Sequence, residues 1–91
     1  MARWQVTVVS EPDEAHPVEA AARRLAAMVE EADLDVVVED GCPGIRMRLL
    51  AIDDGAAADI TRRRWEQLVL QAGVKVGPVR RLEVVEQLRT S

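Results

Sequence analysis

From Arg3 to Ser10 the chain alternates, with Trp4, Val6 and Val8 on one phase and Gln5 and Thr7 on the other. A period of two with β-branched residues predicts a strand over 3–10, ended by Pro12. Pro17 suits the first turn of a helix, where a missing N–H costs nothing, and it pushes His16 out of the helical region. Val18, Ala21, Ala22, Leu25, Met28, Val29 and Ala32 then recur at three- and four-residue spacing, which predicts one apolar stripe of a helix reaching Ala32. Consecutive valines at Val36, Val37 and Val38 predict a strand over Leu34–Asp40, covered on at least one face. Gly41-Cys42-Pro43-Gly44 reads as a hairpin loop holding Cys42, followed by a third strand over Ile45–Ile52. Asp53-Asp54-Gly55 closes that strand, and Asp54 or Asp59 is the expected cap of a second helix. Its stripe is Thr61, Trp65, Leu68, Val69 and Ala72, and Gly73 stops it. Val74–Pro78 reads as a connection and Val79–Leu88 as the last strand, with Leu82 and Val84 on its inner phase and Thr90 and Ser91 fraying.

The order is therefore βαββαβ, in a single domain spanning 1–91. The two halves align at an offset of 43: Trp4 falls on Met47, Val6 on Leu49, Val8 on Ala51, Ala22 on Trp65 and Leu25 on Leu68. Two interleaved βαβ units with right-handed crossovers make one four-stranded antiparallel sheet, order 4-1-3-2, with both helices on one face. This α+β arrangement is the ferredoxin-like one.

Such a sheet has a helix-covered face and an open face. Trp4, Val6, Val8, Val36, Val38, Met47, Leu49, Leu82 and Val84 fall on the first. Val9, Val37, Arg46, Arg48, Leu50, Ile52, Arg81 and Val85 fall on the second, among Gln5, Thr7, Glu39 and Glu83. Pairing Asp40 with Ile45 across the hairpin would set Glu39 opposite Arg46 and Val37 opposite Arg48. The aliphatic members of the open face, gathered together, would make a patch of the size at which association surfaces begin. A domain this small also gains from covering one.

Composition narrows the function. Of the 91 residues, 12 are Lys or Arg against 16 Asp or Glu, a formal net charge of −4. Phosphate neutralisation needs the opposite balance, which argues against a nucleic-acid binder. RNA-recognition sheets stack bases on exposed aromatics, and here there is no Phe or Tyr and both tryptophans fall on inner positions. The skew to arginine, with no Asn, Phe or Tyr, matches the coding bias of a GC-rich bacterial genome. No apolar run has the length of a spanning helix, and Met1-Ala2-Arg3-Trp4 leads into a strand and not into a signal peptide. A cytoplasmic protein that does not enter membranes is the expectation.

Candidate chemistry is sparse. Cys42 is the only cysteine and His16 the only histidine, too few for a transition-metal site within one chain. They read as an incidental thiol and a residue leading into the first helix. Asp13-Glu14 and Asp53-Asp54 occupy equivalent loops, where acids could hold Mg2+ but serve first as helix caps and strand ends. Arg62-Arg63-Arg64 spreads around its helix and does not form one patch. No catalytic set and no cofactor motif emerges.

The expectation is a non-enzymatic interaction module that meets a second copy or a partner protein through its open face or an edge strand. Val9, Val37, Leu50 and Val85 would be the contact core, and Arg46, Arg48 and Arg81 would give specificity. Two alternatives share the fold. One is a dimeric α+β barrel binding or transforming a small anionic molecule between paired sheets, held by Arg46 and Arg48. The other is a regulatory domain for a small ligand.

Overall fold

A hairpin closed by Asp40 and Gly41 sets the sheet. Both residues have positive φ, 50° and 74°, as a two-residue turn requires if its twist is to match that of the strands it joins. In the computed structural model, which describes residues 1–88, this turn links β2 (Leu34–Glu39) to β3 (Cys42–Ala51). Cys42, Pro43 and Gly44 thus belong to a strand and not to the loop expected for them. The tighter turn changes the pairing: Glu39 faces Cys42, Val37 faces Gly44 and Asp35 faces Arg46. These pairs replace the expected Glu39 opposite Arg46 and Val37 opposite Arg48.

The remaining elements are β1 (Ala2–Pro12), α1 (Val18–Ala27), α2 (Asp54–Ala72) and β4 (Val76–Gln87). The four strands form one sheet in the order β2-β3-β1-β4, with every neighbouring pair antiparallel. Read from the other edge, this is the expected 4-1-3-2. β1 and β2 both run against β3, so they are parallel to each other, and α1 is the crossover that joins them. α2 does the same between β3 and β4. The expected fraying of Thr90 and Ser91 lies outside the described residues.

Several boundaries differ from the sequence reading. α1 stops at Ala27, with Met28 as its cap, and does not run on to Ala32. The helix layer lies about 10 Å above the sheet, and residues 28–33 are needed to bring the chain down to Leu34. The cap of α2 is Asp53, not Asp54 or Asp59: its carboxylate accepts from the Ala56 N–H at 2.8 Å. Asp53 is the last extended residue, and only from there does the carboxylate face the unpaired N–H groups of the first turn. α2 ends at Gly73 in the left-handed conformation, φ 66°. β4 starts earlier than expected because it is an edge strand, where the missing N–H of Pro78 breaks no ladder bond.

One face of the sheet carries the core. Val6, Val8, Leu34, Ile45 and Ala51 from the strands form a single buried cluster with Ala21 and Leu25 of α1 and Ala57, Trp65 and Leu68 of α2. Polar atoms within it are paired. The Trp65 indole N–H donates to Ser10 Oγ at 2.9 Å, the Thr61 hydroxyl donates to the Ala57 carbonyl at 2.9 Å, and Trp4 Nε1 donates to the Ala51 carbonyl at 3.1 Å. Leaving such groups unpaired would cost about 1–3 kcal/mol each. Across the top of the core Arg64 of α2 grips Glu31, in the connection after α1, with N···O distances of 2.6 and 2.9 Å. That clamp holds the Glu31 carboxyl at about 2, well below its ordinary 4.5, chiefly through the arginine's hydrogen bonds.

Candidate functional site

The face away from the helices is built from rows of side chains that cross the strands. One row runs Arg81, Val9, Gly44, Val37; the next runs Glu83, Thr7, Arg46, Asp35. Then come Val85, Gln5 and Arg48, and last Gln87, Arg3 and Leu50. The pleat places every residue of the expected contact surface on this face, although the hairpin register differs from the one expected.

The first two rows are closed by charge. Arg46 Nη2 lies 3.3 Å from Glu39 Oε1, and its Nε donates to the Thr7 hydroxyl at 3.3 Å. Arg81 donates to Glu39 and, at 2.9 Å, to Glu83. Glu39 stands on β2 and Arg81 on β4, at opposite edges of the sheet, so the arginine chain passes over Val9 and Gly44 to reach it. Val9 and Thr7 are each 2% exposed, sealed beneath the arginine stems. The Glu39 carboxylate raises the pKa of the Arg81 guanidinium, and the network is a mutually neutralising one. Arg48 approaches Asp35 at 3.9 Å. The arginines proposed to hold a small anion are thus already met by carboxylates of the same face.

The other half of the face sets two aliphatic side chains, Leu50 and Val85, among Gln5, Arg48, Arg3 and Gln87. Leu50 is 57% exposed and Val85 46%. Val37 is partly covered. A hollow at this end of the sheet is lined by Met1, Arg3, Leu50, Gln87 and Leu88. On the helix side of β4, Val79 and Leu82 are also exposed. A second hollow lies between α2 and β4, lined by Gly55, Ala58, Asp59, Arg62 and Leu82. The sequence reading counted Leu82 as interior because its phase is right. The phase is indeed inner, but among the described residues no further strand shelters the edge on which it stands.

The other singled-out residues do not converge. Cys42 is buried in β3, on the open-face side, and its Sγ accepts from Arg80 Nη1 at 3.1 Å. His16 accepts the Lys75 backbone N–H on Nδ1 at 3.3 Å, which ties the approach of α1 to the start of β4. Asp13 accepts the Ala15 N–H at 2.8 Å within its own turn. Arg62 and Arg63 both reach Asp59, while Arg64 turns to Glu31, so the three consecutive arginines are divided between partners. Among the described residues no group of three or more His, Cys, Asp or Glu is placed to hold a metal ion, and no helix is long and apolar enough to cross a membrane. Comparison with protein-family models, with curated proteins and with solved structures gives no match for this chain.

Proposed function

We propose that this chain is a non-enzymatic interaction module, a βαββαβ domain of the ferredoxin-like kind, whose partner is a second copy of itself. The carrying observation is the division of the side away from the helices. Its charged half is paired internally, while Leu50 and Val85 stay uncovered; Val79 and Leu82 of the edge strand β4 are uncovered as well, on the helix side. Apolar area held in water is worth about 25 cal/mol per Å2 once covered. A second copy supplies matching apolar area without any further component, and two-fold assemblies are the commonest way to do so. Arg46, Arg48 and Arg81, held in place by their carboxylates, border the uncovered part and would select the partner's orientation. Sedimentation equilibrium from micromolar to millimolar protein tests the reading. A mass rising to twice that of the chain is expected, and a single-chain mass throughout would refute it.

A further inference from the structure

Among the described residues β4 has a sheet neighbour on one side only, β1. Its far side presents a row of N–H and C=O groups with no strand against them, a template for another chain. The regular part of this edge is Arg81–Gln87. Arg81 pairs with Val9 and Val79 with Ser10, so Arg80 is left over as a bulge, and Pro78 beyond it has no N–H to offer.

We propose that two copies join along this edge, β4 against β4 in antiparallel sense, about a two-fold axis passing through Val84. The proposal rests on the self-association reading and names its surface. An axis normal to the sheet keeps the helices of both copies on the same side, so each residue opposes one of its own face and the axis must pass through a residue. Centring on Leu82 drives the bulged Arg80 against Val84. Centring on Glu83 opposes carboxylate to carboxylate, which destabilises the pair. Centring on Val85 or beyond shortens the overlap. Val84 uses the whole regular stretch, with Val84 against Val84, Glu83 against Val85, Arg81 against Gln87 and Leu82 against Glu86.

The last of these pairs gives the contact its specificity. Glu86 is in register with Trp4 and so stands on the helix side of the sheet. It is exposed and has no ion-pair partner among the described residues. Leu82 lines the hollow that Asp59 and Arg62 also line; Asp59 is shared between Arg62 and Arg63, so one carboxylate faces two guanidinium groups and a second carboxylate is accommodated. Setting Glu86 of the second copy opposite Leu82 lays its carboxylate beside Arg62, and the two-fold repeats the contact. The other edge of the sheet suits a second copy poorly. β2 spans only Leu34–Glu39, six residues, and so offers a second copy a shorter overlap than β4.

The experiment is sedimentation equilibrium on the wild type, Glu86→Arg, Arg62→Glu and the double variant, with circular dichroism to confirm that each exposed substitution leaves the fold intact. Each single reversal is expected to weaken dimerisation about tenfold or more, and the double variant to recover it. A double variant as weak as the singles overturns the Glu86–Arg62 contact. A dimer that survives both single reversals but dissociates on Leu50→Glu places association on the open face; this overturns the edge arrangement and leaves self-association standing. A wild type that stays monomeric overturns both.

Discussion

Glu31→Gln removes one charge from the clamp over the core while keeping an oxygen that can accept from Arg64. The Glu31 carboxyl lies at about 2 against an ordinary 4.5, and the first cause is the hydrogen bonding from Arg64. At about 1.4 kcal/mol per pKa unit this displacement corresponds to about 3 kcal/mol. The Glu31 side chain is 34% exposed, so water screens the pair and roughly 1–2 kcal/mol remains. The folded-state pKa is depressed, so the stabilisation is fully present above 4.5, the unfolded value, and is lost as pH falls through about 2. Urea unfolding of wild type and Glu31→Gln, at neutral pH and again near pH ~2, checks this. Other carboxylates titrate in both proteins and cancel in the difference. The wild type should be the more stable by roughly 1–2 kcal/mol at neutral pH, and the gap should close on acidification. A gap that is absent at neutral pH, or unchanged in acid, would refute the reasoning.

Gly44→Ala should be among the most damaging single changes. A Cβ there would run into the Val8 carbonyl oxygen and lie 2.9 Å from Val9 Cα; these are backbone atoms that cannot rotate away, so β1 and β3 must part. A loss of about 3 kcal/mol or more, read from chemical unfolding, is expected. Trp65→Phe should cost about 1–3 kcal/mol, because it strands the Ser10 hydroxyl, 1% exposed, without its indole donor. Combined with Ser10→Ala it should cost less than the sum of the two single changes, and strict additivity would show that the hydrogen bond contributes nothing. Leu50→Glu, at a position 57% exposed, should change monomer stability by less than about 0.5 kcal/mol, which thermal unfolding of dilute protein can verify.

The local code of the chain sufficed for the order of elements and for the side each residue takes. Alternation at Trp4, Val6 and Val8, and the spacing of Thr61, Trp65 and Leu68, depend only on the two periods of regular backbone. Even the mistaken hairpin register kept every side chain on its face, because the expected and observed pairings have the same parity. The Asp40-Gly41 signal for a two-residue turn was present in the sequence. It was hidden because Pro43 and Gly44 also read as breakers, and only the closing of β3 onto β1 reveals why a glycine stands at 44.

Exposure was another matter. Val9 and Leu50 share a face and a chemical character, yet Val9 is 2% exposed and Leu50 57%. The difference arises from Arg81 on one edge strand reaching Glu39 on the other, with Arg46 beside them. Arg81 and Glu39 are 42 residues apart in the chain and meet only once the sheet is assembled, so no periodicity announces their contact. The same holds for Leu82, whose phase is that of a core residue but whose strand stands at the edge of the sheet. A sequence determines which way a side chain points, because that is a property of the local backbone. What covers it is decided by neighbours that only tertiary folding brings near.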